Sequence, residues 1–380
     1  MLKTIKIENF RSFQSFELQQ LGRVNLLVGK NNSGKTSILE AIQLLCSRTN
    51  LEPLAEVMTN RGEYFWNDNP RRNRELDICH LFYGHEIQPD SKLCISGMNG
   101  NNQEAITVSI GARYFHLDDD LGEELNRESS SFHESSAQIN GLNLGINWTR
   151  GEETEILTFP LSNNSALDLG YVQRFRRDGK NPLPNTQFVT SSFLTTEKMN
   201  QLFDQVVLTP EEIFVQEALQ TIEPKIERIA SVNLQQVSPL RLRTSFDSRS
   251  GFVARLSDRN QRVPIGSMGD GIWRILGLAL ATVCAKDGYL FVDEIDTGLH
   301  FTAMSDMWKL IWKTAKKLNV QVFATTHNSD CWTSLASIVS EEDATEDGIK
   351  IHRIEKGKET SVVFTEPQIV IAAEREIEVR

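Results

Sequence analysis

The sequence predicts an α/β fold. A mixed sheet carries a phosphate-binding strand–loop–helix unit, joined by an antiparallel β subdomain and an inserted helical lobe. Three observations predict it. First, Gly29-Lys30-Asn31-Asn32-Ser33-Gly34-Lys35-Thr36 fits G-x-x-x-x-G-K-[ST] and stands between an apolar run, Val24 to Val28, and a helix-patterned segment, Ser37 to Cys46. Second, two later apolar runs end in residues that carry chemistry: Tyr289 to Val292 runs into Asp293-Glu294, and Val320 to Thr325 runs into Thr326-His327. Third, short strand-like runs separated by Gly/Asn clusters fill the stretch between Asn50 and Phe115, the pattern of antiparallel hairpins.

With 380 residues there is enough chain for one large or two ordinary domains. The signals divide it into an N-terminal lobe, 1–165, an inserted helical lobe, 166–250, and a C-terminal lobe, 251–380. A formal net charge of −11 argues against a broadly basic nucleic-acid coat but leaves room for a local basic cleft. Cys46, Cys79, Cys94, Cys284 and Cys331 are scattered, with no C-x-x-C pair, which points to a reduced, cytoplasmic protein without structural zinc. Met1 to Ile5 lacks a signal-peptide core, and no apolar run approaches ~18 residues, so no membrane span is expected.

Taken in order, Leu2 to Ile7 alternates like a strand, Phe16 to Leu18 returns from it, and Val24 to Val28 delivers the glycine-rich octet. Ile38, Ile42 and Leu45 fall at helical spacing and are expected to face the sheet. Leu76 to Phe82, Leu93 to Ser96 and Ala105 to Ile110 read as strands. Asp118 to Asn140 is polar and weakly patterned, an expected loop. Strand signals return at Glu155 to Phe159 and Gln187 to Thr190. Helices are expected over Thr196 to Val207 and over Glu211 to Ala230, the second kinked at Pro224. Another helix, Ile272 to Cys284, precedes the Asp-Glu strand, and one from about Ala303 to Leu318 separates it from the His strand. Ile349 to Phe364 reads as a hairpin turning at Gly357.

The chemistry follows from residue types. Backbone N–H groups of Gly29, Asn31, Asn32, Ser33 and Gly34 can wrap a phosphate, and the helix that follows adds its positive end. Lys35 would reach the β/γ-phosphates, and the Thr36 hydroxyl would ligate Mg²⁺, with Ser37 following in the same turn. A strand ending in Asp293-Glu294 can offer one carboxylate to Mg²⁺ and the other as general base to water. His327 can hydrogen-bond the γ-phosphate or that water. Gly266-Ser267-Met268-Gly269-Asp270-Gly271 opens the helix before the Asp-Glu strand and is a second possible anion site.

These features, in this order, resemble the heads of ABC-class ATPases. The opening stretch Ile7-Glu8-Asn9-Phe10-Arg11-Ser12-Phe13 resembles the first hairpin of the OLD/RecF-like soluble branch, and the middle of the chain is similar to stand-alone ATPases of PARIS-like anti-phage systems. The resemblance implies that Arg11 and Ser12 lie near the nucleotide. It makes Gly266 to Asp270 the signature loop, with Ser267 and Gly269 at its Ser and second Gly, and Asp296 to His300 the D-loop. Met268 and Asp270 depart from the transporter form. The resemblance further implies ATP and Mg²⁺, a homodimer or higher assembly closed around two ATPs with Ser267 acting in trans, and a separate effector such as a TOPRIM-type nuclease. About 50 residues follow His327, too few for an added nuclease domain, so that chemistry is expected in a partner. The family's glutamine loop is expected between the Thr36 helix and the inserted lobe, without an assigned residue. A RecF-like DNA-binding role is the alternative. It rests on Arg71-Arg72-Asn73-Arg74, on Arg174 to Lys180, and on Arg241 with Arg243, which form no interleaved aromatic stacking pattern.

Overall fold

In the computed structural model the described residues are 1–66, 74–114, 139–174, 183–192, 194–232, 251–341 and 347–379. The chain opens with β1 (Leu2–Phe10), β2 (Phe13–Leu18) and β3 (Val24–Val28), then α1 (Lys35–Ser47) and α2 (Glu52–Asn60). The β-rich stretch comprises β4 (Tyr64–Phe65), β5 (Glu75–Asp77), β6 (Lys92–Asn99), β7 (Asn102–Tyr114), β8 (Ile139–Arg150), β9 (Glu153–Pro160) and β10 (Ala166–Asp168). Next come α3 (Leu169–Arg174), β11 (Thr186–Val189), α4 (Thr196–Val206), α5 (Glu212–Ile222), β12 (Ile226–Ser231), β13 (Phe252–Leu256) and β14 (Arg262–Pro264). The C-terminal part holds α6 (Asp270–Cys284), β15 (Tyr289–Val292), α7 (Phe301–Lys317), β16 (Gln321–Thr326), α8 (Ser329–Glu341), β17 (Ile349–Arg353), β18 (Val362–Phe364) and α9 (Glu366–Glu374).

The central sheet runs β11-β15-β16-β3-β17-β18, parallel except for the last pair. Its strands are apolar on both sides because both faces are covered. On β15, Leu290 and Val292 join a core with α6, α7 and α8, while Tyr289 and Phe291 point to the other face. On β16, Val322 and Ala324 take the first face and Phe323 the second. Phe188, Phe291 and Phe323 stack across three strands at 6.1 and 5.8 Å. That second face packs on α1, where Ile38, Ile42 and Leu45 are fully buried as expected. Beyond α1 lies the antiparallel sheet β2-β1-β6-β7-β8-β9.

Several expectations change. Leu76 to Phe82 is not one strand. After Asp77 the chain winds into a 3₁₀ turn, Ile78–Leu81, because the Asp77 carboxylate accepts the Cys79 N–H at 3.3 Å. The helix expected over Glu211 to Ala230 ends at Ile222 rather than kinking. Glu223, which precedes Pro224, is forced extended (φ −129°, ψ 91°), and Ile226–Ser231 becomes β12. Helices α2, α8 and α9 go unforeseen. Within 166–250, β11 belongs to the central sheet, and α4 and α5 share the core of α6. The segment 118–138, Arg71, Arg72, Arg176, Arg177, Lys180, Arg241 and Arg243 lie outside the described residues. Among the described residues, no helix is long and apolar enough to cross a membrane.

His352 on β17 is fully buried, with Nε2 3.4 Å from Asn25 Oδ1 and Nδ1 3.4 Å from Ser361 Oγ. Burial, reinforced by Lys350, pushes its imidazole from 6.5 down to about 3. Between those values the unfolded chain binds the extra proton, so stability falls as pH drops through that window and is unaffected by this group above it. Urea titrations across the window are expected to show a slope that His352→Gln lacks, by up to about 1.4 kcal/mol per pH unit. Parallel curves for the two proteins would remove His352 as the cause.

Candidate functional site

The octet forms a closed turn between β3 and α1. Gly29 (φ 148°) is held against the main chain after β17, and a Cβ there would stand 2.4 Å from the Ile354 carbonyl oxygen. Gly34 (φ 93°) precedes α1, and a Cβ there would stand 2.4 Å from the Phe13 ring and 3.1 Å from Ser12 Oγ. The first hairpin therefore packs on the loop through Ser12 and Phe13, and both glycines are required. No side chain caps the start of α1 and no acid lies in its first turn, so its leading N–H groups and dipole are left for an anion. Asn31 and Asn32 are exposed, Ser37 is buried in the first turn of α1, and Ser33 Oγ is buried without a hydrogen-bond partner. Lys35 Nζ donates to the Gly29 and Lys30 carbonyls at 2.8 and 2.9 Å. Burial lowers its pKa below 10.5, against the opposing pull of Asp293 and Glu294.

Across from the loop, the end of β15 brings in the acids. Thr36 Oγ1 donates to Asp293 Oδ1 and Oδ2 at 3.0 and 3.1 Å. Thr325, one strand over, donates from Oγ1 to Asp293 Oδ1 at 2.7 Å and accepts the Glu294 N–H at 2.8 Å. Glu294 sits at φ 48°, a region that bulky residues avoid. Its carbonyl accepts from buried Arg274 Nη2 at 3.2 Å, and Arg274 Nη1 donates to the Thr190 carbonyl at 3.3 Å. Burial pushes the Arg274 guanidinium down to about 10, with Asp296, Asp293 and Glu294 opposing, so it stays charged at neutral pH. His327 Nδ1 lies 3.7 Å from Glu294 Oε1, and Thr297 Oγ1 donates to Glu294 Oε2 at 3.4 Å. Thr36, Lys35, Asp293, Glu294 and His327 are thus gathered at one end of the sheet.

Two sets of expected residues remain. Arg11 is buried. Nε pairs with Glu40 at 2.7 Å, and Nη1 and Nη2 donate to Glu63 at 2.7 and 3.1 Å, so Arg11 clamps α1 to the loop after α2. Ser12 lies beside the Gly34 turn. Ser267 and Gly269 are exposed. Ser267 Oγ donates to the Pro264 carbonyl at 2.7 Å, and Gly269 (φ 108°) precedes α6.

A cavity of about 620 Å³ opens on the Thr36–Asp293 pair and extends past Glu40, Gln43, Arg61 and Thr190-Ser191-Ser192. Ser267 and Gly269 are not among its lining residues. The Thr190–Ser192 turn follows β11, which pairs in parallel with β15. Sequence reading found this strand but not its neighbour, because nothing in Thr186–Val189 says which strand it joins. The donor set fits a triphosphate with Mg²⁺. A hydroxyl and a carboxylate in contact are hard oxygen ligands, and the unpartnered Ser33 hydroxyl and uncapped helix start face the anion side.

The chain matches the family described as AAA ATPase domain over residues 1–229, and a further AAA domain over 176–330, whose description adds a proposed AbiEii toxin of a type IV toxin–antitoxin system. It is 22% identical over 362 residues to a protein of Helicobacter pylori named ATP/GTP phosphatase, covering 90% of each chain. Shorter matches reach 50% identity over 44 residues. One is the DNA replication and repair protein RecF of Clostridioides difficile (12% of each chain), and the other is the DNA double-strand break repair Rad50 ATPase of Methanopyrus kandleri (12% of this chain, 5% of that one). Among solved structures, the SMC head domain from Thermotoga maritima overlaps at TM-score 0.42 and 13% identity, over 96% of this chain and 98% of that one. An overlap this loose carries no weight beside the strand order.

The Thr325 hydroxyl is the joint between the two acids. Thr325→Val keeps the shape and removes both hydrogen bonds, one of them to a carboxylate, a loss of about 1–3 kcal/mol. ATP turnover is expected to fall about tenfold or more. Steady-state kinetics with wild-type turnover in this variant would show that the hydroxyl does not place Asp293 and Glu294.

Proposed function

This chain belongs to the AAA ATPase domain family, and on that premise we propose that it closes a composite ATP site between two copies and uses hydrolysis to control a separate effector. The observation that carries the reading is the split of the expected site. One chain gathers Lys35, Thr36, Asp293, Glu294 and His327, while Ser267 and Gly269 face solvent at the start of α6. A residue set divided in this way is completed by the signature loop of a second copy, docked head to tail.

In this mechanism Lys35 leaves the Gly29 and Lys30 carbonyls and meets the β/γ-phosphates. Thr36 and Asp293 would hold Mg²⁺, which when bound would supply positive charge beside the phosphoryl oxygens. Glu294 accepts the proton of the attacking water, and its strained backbone is pinned by Thr325 and Arg274 so that the carboxylate stays aimed. His327, beside Glu294, orients the water or the γ-phosphate. Ser267 and Gly269 of the second copy cap the γ-phosphate, so hydrolysis loosens the dimer.

The effector half of the reading is supported by the likeness to PARIS-like ATPases and by the toxin–antitoxin description of the family over 176–330. It places the chain as a sensor or scaffold in anti-phage defence, holding a nuclease-type effector. The DNA-binding alternative has local RecF and Rad50 likeness behind it, while most of its basic residues lie outside the described part.

Glu294→Gln is expected to bind ATP, lose at least a hundredfold in turnover, within the range for a general base, and elute as a dimer with ATP but not ADP on a sizing column. Wild-type turnover would sink the general-base role, and an unshifted elution the composite site. Affinity purification of this variant from its native host tests the effector: recovery of the chain alone would remove it, and ATP-dependent recovery of nucleic acid would favour the alternative.

A further inference from the structure

We propose that Asp77, Cys79 and His80 form a binding site for a divalent transition-metal ion of the Zn²⁺ class, apart from the Mg²⁺ position at Thr36 and Asp293. The three donors come from a tight local bend. β5 ends at Asp77, the 3₁₀ turn Ile78–Leu81 carries Cys79 and His80, and a second turn, Tyr83–His85, folds back on the first. A carboxylate oxygen of Asp77, Cys79 Sγ and a ring nitrogen of His80 all lie within 4.8 Å of one another. Asp77 divides its two oxygens. Oδ1 caps the turn by accepting the Cys79 N–H, and Oδ2 stands 3.3 Å from His80 Nε2. Two ligands of a tetrahedral ion at ~2.1 Å are separated by about that distance.

His85 supplies an independent observation. Its Nδ1 lies 3.3 Å from His80 Nδ1, the rings meeting edge-on at 5.3 Å. Gly84 (φ 84°) and His85 (φ 59°) both take left-handed backbone to bring that ring over. A metal-binding imidazole needs its second nitrogen held by a partner, which fixes the tautomer and the ring plane. In the metal-free chain, His80 Nε2 and Asp77 Oδ2 stand 3.3 Å apart. On binding, both atoms ligate the cation, the His80 proton resides on Nδ1 and is accepted by His85 Nδ1, and His85 carries its own proton on Nε2. Cys79 binds as thiolate and releases its proton to solvent. The fourth position is open to water. A mixed sulfur, nitrogen and oxygen donor set favours Zn²⁺-class ions over Mg²⁺. A search for C-x-x-C pairs passes over it.

The turn is anchored to the ATPase core. The Leu81 carbonyl accepts the Arg11 N–H at 2.9 Å, and the Asp77 N–H donates to the Glu63 carbonyl at 3.0 Å. Arg11 in turn grips Glu40, four residues along α1 from Thr36. An ion at Asp77, Cys79 and His80 ties down the turn that holds this clamp.

The test uses the purified full chain, stripped with a chelator and titrated with Co²⁺. Expected are one strongly held Co²⁺ per chain, a sulfur-to-cobalt charge-transfer band in the near ultraviolet, and displacement by Zn²⁺ but not by Mg²⁺. Cys79→Ser removes the sulfur band without changing the metal-free melting temperature. His85→Gln, at an exposed residue, keeps the band and weakens Co²⁺ binding about tenfold. No sulfur band in the wild type, or an undiminished band in Cys79→Ser, overturns the proposal. Equal affinity in His85→Gln removes the orienting role.

Discussion

The parallel register of β11, β15, β16 and β3 is the constraint on which the rest depends. Val189 lies opposite Val292, Val292 opposite Ala324, and Thr326 opposite Val28. Asp293, Glu294, Thr325 and His327 emerge within two residues of those pairs, and Lys35 and Thr36 follow across the loop after β3. A slip of one residue in any strand would turn its side chains to the opposite face and break the contacts among Thr36, Asp293 and Thr325. The sheet's two cores hold the register, since each strand must send alternate residues to different helical layers.

Electrostatics at that edge are local. The chain as a whole is acidic, yet near the loop Lys35 and Arg274 are cations drawn inward, each losing proton affinity to burial and regaining part of it from Asp293 and Glu294. The same logic shapes Glu40. Burial pushes its carboxyl up, while Arg11 at 2.7 Å and Arg61 at 2.7 Å pull it back. Paired charges of this kind position groups more than they stabilise the fold, because desolvation offsets most of the attraction. Removing one partner leaves the other buried and unpaired.

Much of this was legible in the spelling of the chain. The glycine octet, Asp293-Glu294 and His327 declared themselves because each follows a short, mostly apolar strand, and Val24–Val28 and Tyr289–Val292 match the structure residue for residue. What stayed hidden were facts of placement. Nothing around Arg11 in the sequence announces its pairing with Glu40 and Glu63. Thr325 read as one more apolar-strand residue, though its hydroxyl joins both acids. Pro224 was read as a kink, whereas the residue before it simply could not stay helical. Such errors share a cause: a local pattern states what a segment can form, and its neighbours decide which form is used.

The place of β3 has a consequence for how the chain acquires its structure. The strand that delivers the glycine loop lies in the middle of the parallel sheet, paired on one side with β16 and on the other with β17. Both partners lie far along the chain from it, at Gln321–Thr326 and Ile349–Arg353. During synthesis β3 waits with two unpaired edges and an apolar surface on each face, for almost the whole length of the chain. Pairings this distant in sequence slow folding and lengthen exposure to aggregation. The antiparallel sheet, built on the consecutive strands β6 to β9 with β1 and β2 added at its edge, draws only on the first 160 residues and is able to form first and shelter α1. The nucleotide loop is therefore flanked on both sides only once β16 and β17 have been added, about 300 residues after the loop itself has been made.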